Sequence, residues 1–528
     1  MDIKKYFSED WAWVLWILIL LSLVIHLILS LNNTPGFWTD SFIYLLQADY
    51  FTFWNKGHPP VLEQAIVYRN FPPLYPFFLS VIGAGSNNIV IASIATSFLL
   101  FPICIFYVDW QTKEGLSKHN ALITALLFVL LPATLLFSTE LWSENLYILL
   151  VLLTLWSFRK AKDDADKWLY FSALCCGLAF ITRSVGISLV VALLIAVYFF
   201  DKRKIILTIA IIFTPWLIWA ALSNEFDYSN TYFKNALLER YKIYLGLHEN
   251  IFNGLLEIAK TQTETLWKGL QLQFNNSLNN GTAVLAFLIT IATLYSFLQR
   301  LICLSLDALY VLFYLGIIFV WNYSDHNVRF IYVVVPFVLF YSQLTIVFIL
   351  KRLNNDLGRL KNFLLPLLIS VVIFPCILLM AERFITIPGE NIKNYSNDRF
   401  WLAGEDRKKM YKQLVFKKEL IESVKEIKEV VSEDECIYSV TQEIVMLYAQ
   451  RRAIVPPLQN LYQKNFIEQL NQCRYMLVVG TVYSQHEPLY PVDRVKDISW
   501  VLRQKFFPQE FSGEIVSVLL EIDKNIDM

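Results

Sequence analysis

Charge is scarce in this 528-residue chain, where Asp, Glu, Lys and Arg together make up 17%. A soluble protein of this length needs roughly a quarter of its residues charged to cover its surface. What charge there is balances, 45 basic residues against 45 acidic, so no cationic excess marks a nucleic-acid partner. Glycine and proline are few, at 17 and 18, which excludes collagen-like and low-complexity chains. The sequence has no phosphate-cradling glycine loop, no G-x-G-x-x-G and no serine-nucleophile elbow, so nothing points to ATP-driven chemistry. No internal repeat stands out. The seven cysteines lack metal-ligand spacing. Cys175 and Cys176 fall in an apolar segment, while Cys436 and Cys473 would pair only if the tail faces an oxidising compartment. What the chain has in plenty is apolar surface: 56% hydrophobic residues, 40 Phe, 27 Tyr and 15 Trp, with a mean hydropathy of +0.47. Disorder and a coiled coil are excluded with the soluble globule, and a polytopic membrane protein remains.

Length and flanking charge mark the spans. They fall near 11–31, 87–108, 119–137, 141–158, 167–182, 185–200, 204–222, 279–298, 302–321, 329–350 and 361–380, about eleven in all with a range of 10–13. The first follows a basic start, Lys4 and Lys5, and lacks the small-residue cleavage site of a signal peptide. Further basic residues sit at alternate connections: Lys113 and Lys118, Arg159 to Lys167, Lys202 to Lys204, Arg300, and Lys351 to Lys361. The pattern predicts a cytoplasmic N-terminus and an external C-terminus. Three external regions are then large: loops 32–86 and 223–278 and the tail from 381. Residues 70–84, with their Pro-Pro start, are too short to span and suit a helix at the interface.

Nearly half of all charge, 20 basic and 22 acidic residues, lies from 381 onward. This predicts a division into a membrane domain, 1–380, and a soluble domain, 381–528. The tail reads as α/β. Residues 406–431 have helical periodicity, 436–440 and 475–480 read as strands, and 511–522 holds another apolar run.

Polar groups that could do chemistry cluster at the predicted outer ends. "TDSFIYLLQADYFTFW" reads as an amphipathic helix with Asp40, Tyr44 and Gln47 on one face and Asp49 on the other. Asp40 is either a helix cap or a carboxylate at the membrane–water boundary, placed to take a proton from an attacking group. Tyr68 and Arg69 follow before the Pro-Pro element. Glu140 and Glu144 lie a turn apart, Arg183 sits between two apolar segments, and Asp325, His326 and Arg329 open a late span. Arginine outside runs against the cytoplasmic bias, so Arg69, Arg183 and Arg329 suggest an anionic ligand there, with snorkelling to lipid headgroups as the plainer account. Asp40 and the arginines Arg69, Arg183 and Arg329 are expected to meet at one external mouth of the membrane domain.

In order and placement these motifs resemble the GT-C glycosyltransferases. They are most similar to the bacterial group that includes the lipid A aminoarabinose transferase and the protein O-mannosyltransferase-like enzymes. The resemblance rests on Asp40 in the first outer loop, Tyr44 and Ala48 after it, and Pro72-Pro73-Leu74-Tyr75. It also rests on Ser143-Glu144-Asn145, Thr182-Arg183-Ser184, and Arg329-Phe330 through Pro336. It covers roughly 1–380. One departure is Ser41, where many members carry Glu after the catalytic Asp.

The resemblance implies a GT-C-like helical domain with large outer loops and a C-terminal soluble α/β domain. It implies an inverting transferase that moves a monosaccharide from a polyprenyl-phosphate donor to a lipid, glycan or protein acceptor at the outer face. Asp40 and Tyr44 would be catalytic. Asp49, Tyr68, Arg69, Tyr75, Glu144, Arg183, His326 and Arg329 would bind substrate. The resemblance fixes no cofactor and leaves open a divalent cation held by Asp40 and a lipid phosphate, and a bacterial inner membrane is the expected location. The alternatives are a transporter or flippase for a lipid-linked sugar, or a glycan polymerase or ligase. The first would favour an internal repeat, and the second would put its key groups in a late outer loop.

Overall fold

The computed structural model describes residues 11–31, 39–51, 71–85, 88–139, 141–163, 166–223, 251–274, 280–321, 327–352, 407–439, 441–454, 472–479, 500–506 and 517–522. Apolar runs bounded by charge or proline give the helices: α1 Trp11–Leu31, α2 Thr39–Phe51, α3 Leu74–Val81, α4 Ile89–Phe98, α5 Leu100–Lys113, α6 Lys118–Leu130, α7 Pro132–Thr139, α8 Glu144–Asp163 and α9 Asp166–Phe180. They continue as α10 Ile187–Asp201, α11 Ile205–Ser223, α12 Ile251–Phe274, α13 Asn280–Ile302, α14 Leu306–Val320, α15 Asn327–Arg352 and α16 Arg407–Val430.

Five stretches among the described residues are long and apolar enough to cross a bilayer: Ala12–Leu31, Ile89–Lys113, Ser184–Ala221, Ala283–Ile302 and Asn327–Leu350. Their outward faces are apolar. On α13, Val284, Phe287, Leu288, Ile291, Leu294 and Leu298 are all exposed at helical spacing. Water would not tolerate such a stripe, whereas lipid does. The protein is therefore a multi-pass membrane protein with a C-terminal α/β domain. The predicted span 361–380 lies outside the described residues. Span 119–137 is interrupted at Leu131, before Pro132, whereas 87–108 runs on through Leu99, which keeps helical geometry and helical hydrogen bonds between α4 and α5. Proline lacks the amide that would continue the helix, so a new one starts there. Helix α12 falls in the predicted loop 223–278, where polar spacing hid it.

The chain forms two compact units. One takes its residues from Met1–Leu31, Arg69–Tyr75 and Ser93–Ile387, the other from Asn32–Tyr68, Pro76–Ala92 and Pro388–Met528. Close backbone approach shapes the first. A side chain at Gly177 on α9 would run into the Ile212 carbonyl of α11.

The second unit holds a mixed sheet in the order β2-β1-β3-β5-β4, where β1 is Cys436–Ser439, β2 Arg452–Ile454, β3 Tyr475–Val479, β4 Trp500–Phe506 and β5 Ser517–Ile522. β1 pairs in parallel with β2 and β3, and β5 pairs antiparallel with β3 and β4. Tyr438, Met476, Val478, Val518 and Leu520 form its core with Cys436 and Cys473, which are joined in a disulfide. Helix α16 packs on the sheet, and Ser423 meets Ser517 at 2.9 Å. The buried Arg451 guanidinium donates to the carbonyls of Val431 at 2.7 Å and Lys428 at 2.8 Å, which caps the C-terminal end of α16.

Candidate functional site

Helix α2 begins at Thr39 and carries Asp40 in its first turn, where the helix dipole favours a carboxylate. Asp40 is partly exposed, but every residue from Ser41 to Asp49 is buried. The expected amphipathic face is therefore absent, and Tyr44 and Gln47 are enclosed like Leu45 and Leu46. The second unit itself supplies part of the enclosure. Helix α2 packs against the helical turn Gln442–Ala449, with Phe42 and Tyr448 edge to face at 6.1 Å. Asp49 lies against Gly85, where any side chain would strike its carboxylate.

Nine residues separate Asp40 from Asp49, roughly 13 Å along the helix, so these two carboxylates do not fit around a single cation. Among the described residues no group of three or more His, Cys, Asp or Glu side chains gathers.

The first unit brings three expected residues together. Glu144 opens α8, Arg183 sits in the turn after α9, and Arg329 lies in the first turn of α15. Both guanidinium groups pair with Glu144 through its Oε1 atom. All three are buried, at 0%, 9% and 6% exposure. Among the described residues, Oε2 of Glu144 accepts no hydrogen bond. Aromatic rings frame the trio. Arg329 lies 4.8 Å from the Trp142 ring centre, and Arg183 lies 5.9 Å from that of Phe330. Phe137 stacks on Tyr332 at 4.5 Å and tilts against Trp142 at 5.0 Å. Tyr332 also donates to Oδ1 of Asn145 at 2.9 Å, and Asn145 donates to the Thr96 carbonyl at 3.2 Å. These bonds fix the start of α8, so Glu144 and the ring wall hold both arginines in one pose. Two planar guanidinium forks at the tips of helices suit a phosphate or carboxylate.

Tyr75 is buried, and its hydroxyl meets Thr96 Oγ1 at 2.7 Å. Tyr68, Arg69 and His326 lie outside the described residues, as do Glu140 and Asp325.

Two buried polar groupings escaped the sequence reading. His26 on α1 bonds Ser138 Oγ at 2.6 Å and the Val129 carbonyl at 2.9 Å, tying α1 to α6 and α7. At the other end of α8, Arg300 donates to both Asp307 oxygens and to Glu114 Oε2, each at 2.7 Å, and Tyr341 donates to Asp307 at 2.8 Å. Arg159 approaches Glu114 at 3.7 Å. A lone His or Asp inside an apolar run, as in "LVIHLIL" and "LSLDALYV", was the available signal.

A family model described as dolichyl-phosphate-mannose-protein mannosyltransferase matches residues 70–223. Among curated proteins, none matches the sequence. Among solved structures, ArnT from Cupriavidus metallidurans in the apo state is 11% identical, with a TM-score of 0.54 over 97% of this chain and 98% of that one. The same protein bound to undecaprenyl phosphate is 10% identical, with a TM-score of 0.51 over 98% and 99%. The archaeal oligosaccharyltransferase AglB from Archaeoglobus fulgidus, in complex with an inhibitory peptide and a dolichol-phosphate, is 15% identical, with a TM-score of 0.52 over 89% and 70%. A further structure of the Archaeoglobus enzyme holds Zn and sulfate. At these identities the likeness is one of fold, and it extends over nearly the whole of both chains for ArnT.

Proposed function

We propose that this chain is a membrane glycosyltransferase that takes a monosaccharide from a polyprenyl-phosphate donor and passes it, with inversion, to a lipid, glycan or protein acceptor. The observation that carries the reading is the buried Glu144–Arg183–Arg329 trio, assembled from three separate helix ends within a fold shared along its length with ArnT. Bringing two arginines into an apolar bundle is costly without an anionic task.

In this reading the polyprenyl tail stays in lipid and needs no polar partner. The arginines steady the phosphate as the anomeric C–O bond breaks and negative charge builds on the leaving oxygen. Asp40 accepts the proton of the acceptor hydroxyl as that oxygen attacks the anomeric carbon from the opposite side. Tyr44 acts beside Asp40 from the next turn of α2, and Asp49 is a proposed substrate contact. Tyr68, Arg69, Tyr75 and His326 are proposed substrate contacts. About eleven spans place the N-terminus in the cytoplasm and the soluble domain, 381–528, outside a bacterial inner membrane. No step is assigned to a metal.

The test uses purified protein and a panel of undecaprenyl-phosphate monosaccharides, reading release of undecaprenyl phosphate. Asp40→Asn is expected to lower turnover by about 10²–10⁴-fold while the protein still accumulates and still binds undecaprenyl phosphate. Full turnover in Asp40→Asn would falsify the assignment. Arg329→Lys should weaken binding of undecaprenyl phosphate itself.

A further inference from the structure

A second basic cluster lies away from the trio, where the C-terminal ends of α5 and α8 meet the N-terminal end of α9. Four aromatic rings run across these helices. Phe106 meets Trp156 at 5.1 Å, Trp156 meets Trp168 at 5.3 Å, and Trp168 meets Phe171 at 6.2 Å. Lysines cap the row. Lys160 Nζ sits 4.2 Å from the Trp156 ring centre and 4.3 Å from that of Trp168, Lys113 lies 5.0 Å from Trp156, and Lys167 lies 5.8 Å from Trp168.

Asp109 is the acid facing this seat, and it is occupied by Lys113 at 3.0 Å and Trp156 Nε1 at 2.5 Å. Asp166 turns to Lys204 at 2.5 Å. Among the described residues no carboxylate is within ion-pair distance of Lys160 or Lys167, although Asp109 lies close enough to feel the charge of Lys160. Just along the same helices, Ile105, Phe171 and Leu174 are exposed to the surroundings.

We infer that this face binds the headgroup of an anionic phospholipid, with the phosphate among Lys113, Lys160 and Lys167 and the acyl chains on Ile105, Phe171 and Leu174. The chemistry is that of a phosphate diester. The lysine stems lie over indole faces while their ammonium groups reach headgroup depth. A free phosphate would satisfy the lysines alone, but the apolar strip continuing from the rings selects a molecule that is anionic at one end and aliphatic at the other. The inference stands independently of the reaction proposed above.

The test uses the full-length protein in detergent, titrated with dioleoyl phosphatidylglycerol or dioleoyl phosphatidylcholine. Bound lipid is counted by native mass spectrometry, and the unfolding temperature is followed in parallel. Phosphatidylglycerol should be retained and should raise the unfolding temperature more than phosphatidylcholine. Each lysine removed should weaken retention about fivefold, so Lys113→Gln, Lys160→Gln and Lys167→Gln together should weaken it about a hundredfold. A control that removes the same charge elsewhere, Lys118→Gln with Lys202→Gln and Arg203→Gln, should retain the lipid. If the triple variant is too unstable, Lys160→Gln alone should show the fivefold loss. Equal loss in the control, equal retention of phosphatidylcholine, or an equal rise in unfolding temperature with inorganic phosphate would each overturn the inference.

Discussion

The two ends of helix α8 carry opposite kinds of ion cluster. At its start, two arginines converge on one oxygen of a single glutamate. Near its far end, Arg300 divides its donors between two acids, Asp307 and Glu114, and a tyrosine adds a further donor to Asp307. Fifteen residues, roughly 22 Å of helix, separate Glu144 from Arg159. The far cluster is closed. Its acids and its central base satisfy one another, as a pin between α5, α13, α14 and α15 should. The near cluster sets two arginines on one oxygen of Glu144, and among the described residues its second oxygen accepts no hydrogen bond. A closed cluster holds helices in place, whereas two guanidinium groups beside one carboxylate are the arrangement on which the proposed phosphate contact rests.

That contrast can be broken most sharply from the closed end. Arg300→Ala leaves Asp307 and Glu114 buried and uncompensated, and should cost about 3–5 kcal/mol of stability. Thermal unfolding in detergent reads the loss, while turnover per folded molecule should hold. Collapse of turnover with stability intact would reverse the roles of the two ends.

The next effect is at the other end. Arg329→Lys keeps the charge but loses the planar fork, and should lower turnover about 10–100-fold through a charged hydrogen-bond loss of about 1.5–3 kcal/mol. The unfolding temperature should move little by comparison. Glu144→Gln sharpens the comparison through its sign. The carboxylate competes with a phosphate for both arginines, so its neutral isostere should bind undecaprenyl phosphate several-fold more tightly and turn over more slowly. Weaker binding would show that holding the arginines in place outweighs competing for them.

The smallest expected effect lies in the second unit. Phe42→Ala removes a ring pair of about 0.5–1.5 kcal/mol that anchors the Asp40 helix on the C-terminal domain. A few-fold fall in turnover at unchanged affinity for undecaprenyl phosphate is expected. A fall in affinity would mean the contact serves the phosphate end after all.

Hydropathy was enough to locate most helices, because lipid rewards long apolar runs whatever their partners. It did not reveal the break at Leu131, which depends on the extended backbone before Pro132. Nor did it reveal α12, whose polar spacing reads as loop. β2 has only three residues, and β4 is interrupted by the consecutive polar residues Arg503, Gln504 and Lys505, so neither shows a strand run. The outer arginines were visible singly because they break the charge bias. Their meeting on Glu144 was not, since 185 residues separate Glu144 from Arg329 and no local pattern records a contact at that range. The burial of α2 was hidden for the same reason: its cover comes from Gln442–Ala449, some 400 residues later.

The grouping of 32–68 and 76–92 with the tail bears on how such a chain can be recombined. A chimera that exchanges only the segment after 387 would part the Asp40 helix from the surface that encloses it. Grafts between relatives should move these early stretches and the tail as one inherited cassette, with crossover points at the boundaries near 31, 69, 75, 93 and 387.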